Sequence, residues 1–174
     1  YCKQLERLEI PSDSRLHTIG DHAFSSSSIT SIVIPPHVTK ISNFAFKGCT
    51  SLTNIVISSS VKTIEIAAFK GCTSLETIII PSSVKYIGGY CFEECTSLQQ
   101  VLIYASIESI EPYTFSKCSN LKELKLPSTV TNIGKFAFSI CTSLNNFVIP
   151  SSVKSIETYA FTGCSSMRQL TIPT

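Results

Sequence analysis

Residues 75–97 read LETIIIPSSVKYIGGYCFEECTS, and the 23 residues before them, 52–74, read LTNIVISSSVKTIEIAAFKGCTS. Both segments follow the pattern L-x-x-[IL]-x-[IL]-P-x-x-V-x-x-I-x-x-x-A-F-x-x-C-x-x, which recurs along the chain with few departures. A fixed period of this length is typical of a solenoid, in which copies stack because no single copy can bury its apolar face alone. The sequence therefore predicts a stack of short units.

Three residue types keep the 23-residue step without error over six copies. They are the cysteines Cys49, Cys72, Cys95, Cys118, Cys141 and Cys164, the phenylalanines Phe46, Phe69, Phe92, Phe115, Phe138 and Phe161, and the isoleucines Ile41, Ile64, Ile87, Ile110, Ile133 and Ile156. Cys2 holds the cysteine place at the start of the chain. The first full unit has two extra residues before Leu16 and one fewer after Phe24, where SSSS replaces the cysteine corner. Loops between core layers tolerate such changes.

Eight leucine-type residues start the units: Leu5, Ile29, Leu52, Leu75, Leu98, Leu121, Leu144 and Met167. We expect residues 1–174 to form a single solenoid. Both ends cut through a repeat and neither carries a visible polar cap, so we expect the chain to be a fragment of a longer protein. The missing signal peptide therefore says nothing about location.

The repeat pattern predicts one strand and one return segment in each unit. L-x-x-I-x-I followed by proline predicts a short strand, because β-branched residues suit strands and proline ends a hydrogen-bonded ladder. Stacking the units places these strands side by side in one parallel sheet. We expect the V-x-x-I segment to be a short extended piece and A-F-x-x-C to be a tight helical turn.

The repeated words GCTSL and AF-x-x-C, with the turn IPSSV at 80–84 and 149–153, resemble the BspA-like leucine-rich-repeat family over essentially the whole chain. The resemblance implies a β-rich, right-handed, curved leucine-rich-repeat solenoid whose parallel sheet lines the concave side. Family members are commonly exported surface or secreted proteins of microbes on mucosal tissue, and several are regarded as adhesins or host-protein binders. The resemblance thus implies a cell-surface or secreted location.

Four residues depart from the family pattern: Ser58 and Tyr104 replace the strand-ending proline, and Cys91 and Thr114 replace the small alanine. We expect these departures to change local packing while the fold is kept.

The composition argues against a nucleic-acid partner and against membrane insertion by this segment. Apolar residues make up 43% of the chain and charged residues 15%, with a formal net charge of +2. The 14 lysine and arginine residues are spread over all copies, whereas a nucleic-acid binder gathers them in one stripe. No apolar run reaches the roughly 18 residues that a membrane span needs.

The cysteines could form disulfides, hold a metal or fill the core. Metal sites need ligands at short spacings such as C-x-x-C, which the sequence lacks. Equivalent positions in stacked units send their side chains in parallel directions, so we favour buried, reduced thiols. Cys91 is the thiol that stands outside the series.

No pattern predicts catalysis, a cofactor or a metal site. The histidines His17, His22 and His37 all lie in the first two units, without a repeated partner or a suitably spaced nucleophile. We interpret them as solvated loop residues, and we expect the chain not to be an enzyme.

Five aromatic residues lie two positions before an anchor phenylalanine: Phe44, Tyr90, Tyr113, Phe136 and Tyr159. This row could be an exposed ledge for a ligand. It could also cover the turn, with each ring packed on its neighbour in the next copy and the hydroxyls at the water boundary. We favour the second interpretation.

Strand alternation predicts two outward rows. The first is polar throughout and reads Arg7, Ser31, Asn54, Thr77, Gln100, Glu123, Asn146 and Gln169. The second reads Glu9, Val33, Val56, Ile79, Leu102, Lys125, Val148 and Thr171. Four consecutive apolar residues therefore cross the outward face. Such a patch marks an interface, or it reflects only the strand propensity of valine and isoleucine.

The predicted protein-binding site lies on the concave face. It is centred on Val33, Val56, Ile79 and Leu102, with Asn54, Thr77, Gln100 and Tyr104 beside them and Glu9, Glu123 and Lys125 as a charged rim. Two functions fit this site. The first is an adhesin-type module that binds a host or neighbouring protein, and the second is a structural spacer that forms homo-oligomers through the apolar stripe.

Overall fold

The computed structural model describes residues 3–172, which form a solenoid of about seven turns built from parallel strands. Cys2 lies outside the described residues, and no helix occurs within them. The strands are β1 (Thr18–Ile19), β2 (Ser31–Val33), β3 (Lys40–Ile41), β4 (Asn54–Val56), β5 (Thr63–Ile64), β6 (Thr77–Ile80), β7 (Tyr86–Ile87), β8 (Gln100–Ile103), β9 (Ser109–Ile110), β10 (Glu123–Leu124), β11 (Asn132–Ile133), β12 (Asn146–Val148), β13 (Ser155–Ile156) and β14 (Gln169–Thr171).

Each unit contributes to two parallel sheets. The even-numbered strands arise from L-x-x-I-x-I and form the first sheet, and the odd-numbered strands arise from V-x-x-I and form the second. The predicted strand and the predicted extended piece are therefore both confirmed. Residues pair with their equivalents in the next unit, as Ile78 does with Val101.

Neither sheet is continuous. In the first sheet the ladder pairs β2 with β4, then β6, β8 and β10, then β12 with β14. In the second sheet it pairs β1, β3, β5 and β7, then β9, β11 and β13. In the first sheet no ladder joins β4 to β6 or β10 to β12, and in the second none joins β7 to β9. We call each of these interruptions of the ladder an opening.

The first unit absorbs its changed length in loops. Arg7 bridges Ser31 and Thr18 pairs with Lys40, so the offset between units is first one residue longer and then one shorter than elsewhere. The extra residues fall in the largely exposed segment 11–15. At the missing cysteine corner, Ser27 is buried with its hydroxyl 3.3 Å from Cys49 Sγ. A serine thus occupies the cysteine place.

The core consists of rows that contribute one residue per unit. The anchor phenylalanines stack face to face from Phe24 to Phe161, with ring centroids 5.2–5.6 Å apart. The rings from Phe46 to Phe138 are fully buried. Such aromatic pairs add about 0.5–1.5 kcal/mol each beyond the burial of their surface. The phenylalanine row is therefore a main source of cohesion between units.

The A-F-x-x-C segment is a run of turns, and the predicted helical turn is wrong. In residues 44–49, alternate N–H groups bond the carbonyl three residues back, and the others bond the carbonyls of residues 66, 68 and 70 in the next unit. Phe44 and Gly48 adopt left-handed backbone conformations, with φ of 57° and 69°. A helix needs consecutive right-handed residues. Two left-handed residues per unit therefore redirect the N–H groups toward the neighbouring unit.

The cysteine row fills the core and also donates hydrogen bonds. Each ladder thiol from Cys49 to Cys164 lies 3.0–3.2 Å from the carbonyl of an anchor phenylalanine in an earlier unit. The described cysteines are free, and all except Cys164 are buried, including Cys91. Burial raises the pKa of these thiols, to about 12 for Cys95.

The two replacements of the strand-ending proline differ in effect. At Ser58 the turn survives, because the Val61 N–H bonds the Ser58 carbonyl as its equivalents do in the proline-bearing units. At Tyr104 the equivalent bond from Ile107 is absent among the described residues, and Ala105 is buried in the altered turn. The second sheet opens between β7 and β9, where this turn leads into β9.

We predict that the described cysteines of the folded protein are reduced and react slowly with alkylating reagents. Their burial raises the thiol pKa and excludes the reagent. Mass spectrometry of protein alkylated before and after denaturation measures this, and half-buried Cys164 should react first. A disulfide between Cys72 and Cys95, or between any adjacent pair, would contradict the prediction.

Replacing Phe92 by alanine should lower the free energy of unfolding by about 3–5 kcal/mol, because a buried ring is lost and neighbouring layers collapse only partly. Phe92 is fully buried between two stacked rings. The same change at half-buried Phe161 should cost less. Urea melts of the two variants compare them, and equal losses would argue against nearest-neighbour stacking.

Replacing Gly71 by alanine should cost about 1 kcal/mol, because an L-residue is strained at a left-handed position. Gly71 has a φ of 72°, and an added Cβ would meet only Gly48 at an ordinary 3.7 Å, so backbone strain is the cost being measured. Gly20→Ala is the matched control, since nothing lies within 4 Å of its added Cβ. The control should be neutral in urea melts, and equal effects at both sites would refute the assignment.

Candidate binding face

The predicted strand register is confirmed by burial. In β4 and β6 the anchors Ile55 and Ile78 are buried, while Asn54 and Thr77 are exposed. The apolar outward residues Val33, Val56 and Ile79 are 63%, 48% and 50% exposed, and Leu102 is half-buried. The first sheet therefore presents an apolar row to the outside.

The polar residues predicted beside this row are also on the surface. Gln100, Glu123 and Lys125 are exposed, and Tyr104 is 64% exposed. Glu9, at the far end, pairs with Arg7 at 2.7 Å. Both of those side chains are more than 80% exposed, so their ion pair contributes little to stability.

A groove of about 1650 Å³ lies over the C-terminal half of this face. It spans the units of β8, β10, β12 and β14, so the first sheet is concave there. Five predicted site residues line it: Gln100, Leu102, Tyr104, Glu123 and Lys125. Thr77 lines an adjoining depression of about 290 Å³. Val33, Val56, Ile79 and Asn54 line neither, so the predicted site is divided between a groove and an apolar row.

The groove lies across an opening of the sheet. Strands β10 and β12 are neighbours but share no ladder pairing. The turn after β8 is the one that Tyr104 alters, and the Tyr104 side chain forms part of the wall. The groove therefore coincides with local departures from the repeat, which the shared pattern does not encode.

Four further residues of the groove were missed by the sequence reasoning: Lys122, Asn145, Val148 and Arg168. Val148 belongs to the second outward row, but Lys125 separates it from the apolar run. The other three occupy the position just before the first outward row. Aligning that position across the units would have shown that it is polar and variable.

The aromatic row lies on the return side and packs on itself, as favoured from the sequence. Tyr90, Tyr113, Phe136 and Tyr159 stack with ring centroids 4.6–5.0 Å apart. Their faces are largely occupied by their neighbours in adjacent units. Every member of the row has a left-handed backbone, with φ between 56° and 60°.

The histidines are exposed, as interpreted from the sequence. His22 stacks on Phe44 at 4.7 Å, and His17 Nδ1 donates a 2.6 Å hydrogen bond to the Arg15 carbonyl. Within residues 3–172, no group of three or more histidine, cysteine, aspartate or glutamate side chains is arranged to hold a metal ion. No helix in that range is long and apolar enough to cross a membrane.

Ion pairs on the return side join neighbouring units. Lys70 Nζ lies 2.6 Å from buried Glu93 Oε2, and Lys117 Nζ lies 2.7 Å from Glu94 Oε1. The hydrogen bond from Lys117 lowers the pKa of the Glu94 carboxyl. These charges act between units, away from the groove.

Comparisons of the sequence and of the structure with known proteins both identify leucine-rich repeat proteins. A sequence model of the BspA type leucine rich repeat region matches residues 1–99 and 90–174, with six copies. The leucine rich repeat protein of T. pallidum is 32% identical, with a TM-score of 0.79 over 83% of this chain and 70% of that one. No curated protein matches the chain in sequence.

Two further solved structures share the fold. A leucine-rich repeat protein from Eubacterium ventriosum is 26% identical, with a TM-score of 0.66 over 84% of this chain and 46% of that one. One from Bacteroides ovatus is 26% identical, with a TM-score of 0.53 over 99% of this chain and 62% of that one. The chain thus spans about half to two thirds of the length of these two proteins.

Proposed function

This chain belongs to the BspA-type leucine-rich repeat family, and on that premise we propose that it is a non-enzymatic module that recognises a protein through the outward face of its first sheet. The partner is a protein of a host or of a neighbouring cell surface, as for an adhesin. The proposal includes a location on the cell surface or outside the cell, which the family resemblance implies.

The observation that carries this proposal is the exposed apolar row. Val33, Val56 and Ile79 are each about half exposed or more, in consecutive units of one face. Contiguous apolar surface of this kind marks interaction sites on soluble proteins. Polar Asn54, Thr77 and Gln100 border the row, as polar residues border the apolar centre of an interface.

The groove adds shape to this face. Tyr104 stands at its wall, and tyrosine is enriched among residues that dominate binding energy. Glu123 and Lys125 lie within reach of a partner seated there and would affect orientation and association rate more than affinity.

A second candidate function is self-assembly, in which the same apolar row contacts a second copy and the repeats serve as a spacer. The exposure of Val33 and Val56 outside the groove favours it, since an apolar row without a concave wall suits a matching flat surface. Light scattering after size exclusion separates the two functions. A monomer that captures a partner indicates recognition, and an oligomer that depends on the row indicates assembly.

Replacing Ile79 and Leu102 together by serine should weaken partner capture or self-association at least about tenfold, roughly 1.4 kcal/mol. The backbone fold should survive, because Ile79 points away from the core and Leu102 is only half-buried. Circular dichroism reports folding, and retention on immobilised extracellular matrix proteins reports capture.

The matched control replaces Ile66 and Ile140 by serine. These residues are 43% and 45% exposed and lie on the return turns, outside the first sheet. The control should bind and assemble like the parent protein. A folded I79S/L102S variant that still does both would place the function on the return side.

A further inference from the structure

One exposed row along the first sheet changes its charge halfway along the molecule. It occupies the position just before the first outward row and reads Glu6, Thr30, Thr53, Glu76, Gln99, Lys122, Asn145 and Arg168. All eight residues are exposed. The N-terminal half carries only acidic charges and the C-terminal half only basic ones. The basic half borders the groove.

The cations at the groove are not neutralised within the protein. Among residues 3–172, no carboxylate forms an ion pair with Lys122, Lys125 or Arg168. Glu123 is the only acidic side chain in the described lining. The groove therefore carries a net positive charge that is free to meet an anionic partner.

The groove lining also contains apolar side chains. Leu102, Tyr104 and Val148 line the groove together with Pro127 and Pro150. A nucleic acid or a sulfated polysaccharide is held by a continuous stripe of basic residues. Separated cations with apolar residues beside them instead match a peptide that carries both carboxylates and apolar side chains.

The distance between the cations sets the separation of the carboxylates in a matching peptide. Lys122 and Arg168 occupy equivalent positions two units apart, with Asn145 between them. Adjacent strands are about 4.8 Å apart, so these positions are separated by roughly 10 Å. A chain in the polyproline II conformation rises about 3.1 Å per residue with three residues per turn, so two side chains three residues apart lie on one face and span roughly this distance.

We propose that the groove binds an acidic segment of the partner protein in the extended polyproline II conformation, with two carboxylates three residues apart that meet Lys122 and Arg168. An apolar residue between them lies over the unit of Val148, which stands between the units of Lys122 and Arg168. This inference rests on the proposed function and adds the chemistry of the partner to it.

The test uses fluorescein-labelled peptides with the core Glu-Leu-Val-Glu and, for comparison, Gln-Leu-Val-Gln, in fluorescence anisotropy with the full chain. The glutamate peptide should bind at least tenfold more tightly than the glutamine peptide. Its affinity should fall as sodium chloride is raised, because exposed charges are screened. The K122Q/R168Q variant should lose at least tenfold in affinity for the glutamate peptide.

The matched control is K62Q/K85Q, which removes the same charge from exposed residues beside the second sheet. It should bind the glutamate peptide like the parent protein. Equal binding of the two peptides, or equal losses in both double variants, would overturn the inference. So would binding of heparin that needs Lys122 and Arg168 in a protein that binds neither peptide.

These outcomes are separate from those of the proposed function. If the I79S/L102S variant loses capture of extracellular matrix proteins while K122Q/R168Q retains it, the recognition face stands and the acidic-segment inference fails. If K122Q/R168Q loses both the peptide and the captured protein, both are supported.

Discussion

In-register stacking is the constraint on which the rest of this structure depends. Core residues of one unit pack on their equivalents in the next, so a residue at a core position must be compatible with a copy of itself. Phenylalanine stacks on phenylalanine, and a thiol in one unit meets a carbonyl of an earlier one. Ser60 and Ser83 likewise donate to the carbonyls of Val38 and Val61 at 2.7 and 2.8 Å. Side chains thereby supplement the bonding between neighbouring backbones.

The same constraint explains what could be predicted from the sequence. The rows of phenylalanine, isoleucine and cysteine, the parallel strands and the outward register all follow from the period, because a one-residue error would turn Ile78 outward and Ile79 inward. The conformation of the A-F-x-x-C turns could not be predicted from the period. Phe44 and Tyr90 are left-handed, and propensity assigns that conformation to glycine or asparagine. Hydrogen bonds to the neighbouring unit hold these residues in place.

The groove also could not be predicted from the repeat pattern, for a different reason. A consensus describes what the units share, whereas the groove arises where they differ. Tyr104 alters one turn, β10 and β12 do not pair, and Lys122 and Arg168 stand where other units carry neutral or acidic residues. The core positions are fixed by stacking, whereas the exposed positions of the first sheet differ from unit to unit. The specificity of the proposed recognition module therefore depends on the residues that differ between units.

The openings in the two sheets are staggered. Where the first sheet opens between β4 and β6, the second pairs β5 with β7, and where the second opens between β7 and β9, the first pairs β6 with β8. At the remaining opening, between β10 and β12, β11 still pairs with β13. A pulling force along the solenoid axis thus meets an intact ladder at every level. Moving any two neighbouring units apart along the axis therefore breaks at least one hydrogen-bonded ladder, and the load path alternates between the two sheets.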